Sequence, residues 1–219
     1  MVEQQINDMI AKAKAALEES KKLNQEQTDA ICEAVAKAVE AKKEELAQMA
    51  VEETGLGNVA DKTIKNHFGS TVIWNDMKGV KTVGIVKDEN DIIEIAEPVG
   101  VVAAVTPTTN PTSTVCFKIL SALKGRNTIV LAFHPRAQKC CVTTAQLCLD
   151  AAIAAGAPKD CIQWVEQPSI EATNALMTNP GVDVILATGG GAMVKAAYSS
   201  GNPAFGVGAG GCPVYVASD

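Results

Sequence analysis

Apolar residues recur at helical spacing over residues 3–19, where Ile6, Met9, Ile10, Ala13 and Leu17 share a face, and over 25–53, where Ile31, Val35, Val39 and Leu46 do. These stripes predict amphipathic helices, with Asn24 as N-cap of the second and Gly55 and Gly57 ending it. Asp61 is expected to cap a short helix carrying Ile64, His67 and Phe68, with His67 a structural residue. Residues 82–87 (TVGIVK) and 92–96 (IIEIA) flank Asp88-Glu89-Asn90-Asp91, the pattern of a β-hairpin with a four-residue loop whose strands are available to another subunit.

From residue 98 the pattern becomes short apolar runs, 99–105 (VGVVAAV), 128–133 (TIVLAF), 161–165 (CIQWV) and 182–187 (VDVILA). The helical stretches 112–124, 137–155 and 169–178 separate them, each long enough for a crossover. Near-continuous apolar strands alternating with helices predict a parallel sheet covered on both faces, a doubly wound α/β domain. The chain therefore divides into an N-terminal helical segment (1–81), a hairpin (82–97) and an α/β domain (98–219). Cys212-Pro213-Val214-Tyr215-Val216 reads as a further strand, so the preceding GVGAGG is a formal GxGxxG without the helix that a dinucleotide fingerprint needs.

Ligands of such a sheet bind outside the carboxyl ends of its strands, in the loops PTTNPT, FHPRA, VEQPS and ATGGGA. The run AVTPTTNPTST is the most heavily furnished: six hydroxyls and a carboxamide follow one strand, more than a helix cap requires, and lead into a helix N-terminus that favours polar or anionic groups. Thr188-Gly189-Gly190-Gly191 forms a strand-to-helix turn in which glycines admit a phosphate or ribose to the backbone; a tight turn alone explains one glycine, not three.

Composition narrows the partners. With 47% hydrophobic residues, net charge −6 and no basic cluster, the 219-residue chain reads as a soluble globular protein acting on small molecules, not on nucleic acid or an anionic membrane. The acidic, amphipathic start and the lack of an apolar run of about 18 residues predict a cytoplasmic protein with no membrane span. Seven cysteines without a CxxC pair, and two histidines, fit neither a disulfide framework nor a metal site and predict reduced thiols.

PTTNPTST, HPRA, AAGAPKDCIQWVEQPS, ATGGGAMVKAAYSSG, GVGAGG and, upstream, EETGLGNVADKTIKNHF closely resemble in order and spacing the N-terminal part of CoA-acylating aldehyde dehydrogenases, nearest to the aldehyde dehydrogenase half of the bifunctional aldehyde-alcohol dehydrogenases. The resemblance implies a variant Rossmann-like sheet binding NAD, CoA as co-substrate, a cysteine nucleophile, a place in fermentative ethanol metabolism and a homo-oligomer. Carried over by position, it implies that Val105, Thr106, Pro107, Thr108, Thr109 and Asn110 line the cofactor cleft, with the Asn110 amide aimed at the developing oxyanion. Gly189, Gly190 and Gly208 would admit the cofactor to the backbone, and His134 either holds the adenosine ribose or closes the turn before Pro135. Arg136 is compatible with a 2′-phosphate, but the resemblance favours NAD over NADP.

Hydrolytic relatives carry a glutamate base where this chain has Val207, which suits a thiol acceptor. The family nucleophile lies in a Gly-x-x-Cys turn beyond GVGAGG; Cys32, Cys116, Cys148, Cys161 and Cys140-Cys141 read as structural, and so does Cys212, the nearest to the site. The chain is thus expected to be the cofactor-binding part of a longer enzyme, inactive by itself; the alternative is a stand-alone nucleotide- or CoA-binding module.

Overall fold

The computed structural model describes residues 2–208, 210–211 and 214–216. The first stripe forms α1 (Val2–Ser20). The second forms two helices, α2 (Gln25–Ala41) and α3 (Lys43–Thr54), broken at Lys42 although the apolar spacing runs through; Asn24 and Gln27 close a capping box on α2 and Gly55 ends α3 at φ 68°. The cap of α4 (Val59–His67) is Asn58 and not Asp61, whose N–H donates to the Asn58 side chain at 2.9 Å. A π-helical turn, Phe68–Val72, then leads into α5 (Ile73–Met77).

The hairpin strands are β1 (Gly84–Glu89) and β2 (Ile92–Ala96). Their loop has two residues and not four, because Asn90 and Asp91 both adopt positive φ, 53° and 61°, and so pair Glu89 with Ile92 and Asp88 with Ile93. Ile92, Ile93 and Ile95 are exposed on this ribbon.

The remaining elements are β3 (Val101–Val105), α6 (Pro111–Lys124), β4 (Thr128–Ala132), α7 (Gln138–Ala154), β5 (Ile162–Trp164), α8 (Ile170–Met177), β6 (Val184–Thr188), α9 (Gly191–Tyr198) and β7 (Ala204–Val207). The five later strands form one parallel sheet in the order β5-β4-β3-β6-β7. Of the strand expected at 212–216, Val214, Tyr215 and Val216 are exposed and outside any strand, and Cys212 and Pro213 lie outside the described residues; β7 lies earlier, where it pairs with β6. Pro203 and Gly206 mask its strand character in the sequence. Gly206 is required by packing, since a Cβ there would sit 2.5 Å from Val194 Cγ1.

β3 and β4 are buried on both faces. Val102, Ala104, Ile129 and Leu131 pack against α2, α3, α6 and α7, whereas Val101, Ala103, Val105 and Val130 pack against α1 and α8. The chain steps from β3 to β4 to β5 on one side, then returns to β6 and β7 on the other side of β3. Its crossovers therefore diverge between β3 and β6, the place where open α/β sheets hold ligands. Among the described residues no helix is long and apolar enough to cross a membrane.

Candidate functional site

Four loops meet at the carboxyl edge of the sheet. Val105 pairs with Ala132 on β4 and Ala187 on β6, so the segment Thr106–Asn110 leaves the sheet between His134 and the Gly189-Gly190 turn. Two backbone bonds stitch the edge: the Thr106 N–H donates to Ala132 O and the Gly189 N–H to Val207 O, both at 3.1 Å. The second bond sets Gly208, which follows β7, beside the Gly189 turn. All the candidate residues thus share one edge. A cavity of about 520 Å³ lined by Lys14, Lys21, Gly100 and Asp183 holds none of them.

Asn110 occupies the N-cap position of α6, followed by Pro111, yet its side chain makes no cap bond. Its Oδ1 is buried and has no hydrogen-bond partner among the described residues, and the same holds for the Thr106 hydroxyl. Buried polar groups are almost always paired, because leaving one unpaired costs about 1–3 kcal/mol. Two such atoms lie in one five-residue loop, Thr106–Asn110, which makes it a candidate place for an outside partner.

The glycine turn is open in the same sense. Gly190 is the N-cap of α9 at φ −67°, ψ 163°, a conformation any residue adopts. Among the described residues, a Cβ added at Gly190, Gly191 or Gly208 would meet no atom within 4 Å, and one at Gly189 would meet Met193. The described residues do not fill the space these glycines leave.

His134 is exposed and its Nδ1 accepts the Arg136 N–H at 3.2 Å, which closes the 3₁₀ turn Pro135–Ala137. Arg136 reaches back to the Thr54 carbonyl at 3.3 Å, at the end of α3. Glu53, one residue earlier, caps α7 by accepting the N–H groups of Lys139 and Cys140, each at 2.7 Å.

Two buried lysines at this edge escape the sequence pattern. Lys118 on α6 is only 2% exposed and donates to Val105 O at 2.5 Å and Leu186 O at 2.6 Å, so its ammonium joins the ends of β3 and β6 under the loop. Burial lowers its pKa to about 7. The available signal is its setting in VCFKIL, with buried Val115 and Ala122 at i−3 and i+4 on the same helical stripe. Lys62 on α4 donates to Thr109 O at 2.8 Å.

His67 is structural, as its helical position implies: its Nδ1 lies 2.9 Å from Glu40 Oε2, which also accepts the Thr71 hydroxyl at 2.9 Å and so ties the π turn to α2. Burial alone would raise the Glu40 carboxyl, but bonds from Lys43, His67 and Thr71 outweigh it and hold the group down at about 2.

The six described cysteines are buried. Burial pushes the Cys32 and Cys161 thiols up to about 12; Cys116 is pushed up by its bond with Cys148 and then by burial, and Cys140 by its bond with Cys141 and then by burial. None offers the exposed, electropositive setting of a nucleophile. Cys212 lies outside the described residues.

Fold and edge define a class: a doubly wound α/β protein whose ligand crevice is built from strand-end loops and a glycine turn. The profile of the aldehyde dehydrogenase family matches residues 1–205, and the chain belongs to that family. It is 53% identical to aldehyde-alcohol dehydrogenase 2 of Entamoeba histolytica, with 98% of this chain and 25% of that protein aligned. It is 50% identical to the bifunctional aldehyde-alcohol dehydrogenase of Escherichia coli K12, over 97% of this chain and 24% of the relative. The crystal structure of an acetylating aldehyde dehydrogenase from Geobacillus thermoglucosidasius superposes with a TM-score of 0.93 at 50% identity, covering 95% of this chain and 47% of that one. The chain thus spans about a quarter of the length of these bifunctional relatives.

Proposed function

We propose that this chain is the cofactor-binding part of an NAD-dependent, CoA-acylating aldehyde dehydrogenase that interconverts acetaldehyde and acetyl-CoA in fermentative ethanol metabolism. The observation that carries the reading is the loop Thr106–Asn110, whose Asn110 Oδ1 and Thr106 Oγ1 are buried and have no partner among the described residues, beside a glycine turn whose space those residues leave open. Those features fit a dinucleotide: glycines admit it to the backbone, and the N-terminus of α9 favours its negative charge. Thr106–Asn110, His134, Gly189, Gly190 and Gly208 would hold it.

NAD, when bound, supplies the hydride acceptor. The chain's own task is to orient and to stabilise. The Asn110 Nδ2 amide donates to the oxygen on which negative charge develops when a thiol adds to the aldehyde or thioester carbonyl, while its Oδ1 is left to accept from a group of the ligand. Lys118 fixes the floor beneath it by joining the ends of β3 and β6. Val207 offers no carboxylate to activate water, which supports transfer of the acyl group to a thiol such as CoA. The buried thiols support a nucleophile lying outside the described residues. Several relatives support the CoA reading by name, among them a succinate-semialdehyde dehydrogenase (acetylating) from Clostridium kluyveri. The exposed isoleucines of the β1–β2 ribbon support a homo-oligomer, and the free, buried cysteines among the described residues support a reducing, cytoplasmic setting.

The test has two arms. Titration of the chain with NAD should show saturable binding that outcompetes NADP, and the enzyme containing this chain should form NADH from acetaldehyde only when CoA is present. Formation of NADH with water as sole acyl acceptor would sink the acylating reading, and failure to bind NAD would sink the cofactor reading.

A further inference from the structure

The segment bearing Asn110 is held very unevenly. After Asn110, the first turn of α6 is fixed twice against α4 and the π turn. The Thr112 hydroxyl donates to Asn66 Oδ1 at 2.7 Å, and Gly69 lies so near Ser113 that a Cβ would come within 2.7 Å of its carbonyl oxygen. Before Asn110, Thr109 is exposed, and among the described residues one side chain bonds to the loop: Lys62, whose Nζ donates to the Thr109 carbonyl at 2.8 Å.

Stability does not account for a lysine there. Lys62 is 4% exposed, its Cε would lie 3.5 Å from a Cβ at Gly57, and no carboxylate bonds to its ammonium among the described residues. Burial, reinforced by the neighbouring charge of Lys65, pulls its pKa below the usual lysine value. An apolar side chain of equal length would fill the same volume without desolvating a charge. What an apolar side chain cannot do is grip the carbonyl whose peptide plane runs directly into Asn110.

We infer that Lys62 is a positioning residue for the proposed reaction: its ammonium fixes the Thr109–Asn110 peptide, and through it the direction in which the Asn110 carboxamide meets the oxyanion. The inference rests on the acylating dehydrogenase reading above. It places on α4, outside the parallel sheet, a residue that sets the geometry of a group at the sheet edge.

The test compares Lys62→Met, Asn110→Ala and the double variant in the enzyme containing this chain. Lys62→Met should lower kcat by about tenfold or more while the KM for NAD stays within about twofold, and the double variant should be no slower than Asn110→Ala alone. Losses that multiply in the double variant would overturn the inference, because Lys62 would then act independently of Asn110. A second readout needs no turnover: in the ¹⁵N-labelled 219-residue chain, Lys62→Met should shift the Asn110 carboxamide resonances, whereas Lys65→Met, at an exposed neighbour, should not. Unmoved Asn110 resonances in Lys62→Met would overturn the inference with or without activity. A wild-type enzyme that makes no NADH with CoA counts against the reaction, and the resonances still decide whether Lys62 positions Asn110.

Discussion

Lys118 offers a perturbation whose size follows from the structure. Its ammonium is enclosed at the ends of β3 and β6, and burial lowers its pKa from 10.5 to about 7. The unfolded chain keeps the ordinary value, so between these limits it binds more protons than the folded one. Stability must then rise with pH across the window from about 7 to 10.5, and below about 7 the full cost of enclosing the charge is present. From pH 6 to pH 9 the gain due to this one group is about 3 kcal/mol, at roughly 1.4 kcal/mol per pH unit. Lys118→Met removes the titrating group and should flatten that part of the profile. It also deprives the Val105 and Leu186 carbonyls of their donor, at about 1–3 kcal/mol, but that cost is the same at both pH values and cancels in the difference. The assay is urea unfolding at pH 6 and 9, followed by the fluorescence of Trp74 and Trp164, for both proteins. Equal pH dependence in the two would refute the reasoning, since Lys118 would then be protonated alike in the folded and unfolded chains.

Three further outcomes are expected. Gly190→Val should weaken NAD binding by about a hundredfold or more without lowering the melting temperature, because its backbone conformation suits valine and a Cβ there meets no described atom within 4 Å; unchanged affinity would place the cofactor elsewhere. Asn110→Ala should cut turnover by about a hundredfold at unaltered NAD affinity, and since it deletes a buried, unpaired oxygen it should not lower the urea midpoint; normal turnover would reduce Asn110 to a spacer before Pro111. Gly100→Ala should cost more than about 2 kcal/mol in urea unfolding, since the glycine has φ 137° and a Cβ would collide with the carboxylate of Asp183, whose Oδ2 accepts the Val101 N–H; a small effect would mean that β3 tolerates loss of this anchor.

How much of this was legible depends on what the side chains face. The strands β3, β4 and β6 read plainly because burial on both faces makes VVAAV, TIVLA and VILAT continuous apolar runs. β7 did not, because AFGV is an edge strand with Phe205 and Val207 exposed and a glycine packed against α9. The break at Lys42 was hidden because Val39 and Leu46 remain in the same core on either side of it. Asn110 could not be resolved from residue type, since asparagine serves equally as a helix cap and as an amide donor; only its missing cap bond distinguishes the two. Lys62 and Lys118 show the deeper limit. Periodicity averages over a helix face, so a lysine in an otherwise suitable stripe reads as a solvated charge at the rim. The fold instead carries both inward to backbone carbonyls, Thr109 in one case and Val105 with Leu186 in the other. Holding a charge against carbonyls, with no carboxylate bonded to it among the described residues, opposes stability, so its presence at both margins of one loop points to what that loop must keep still.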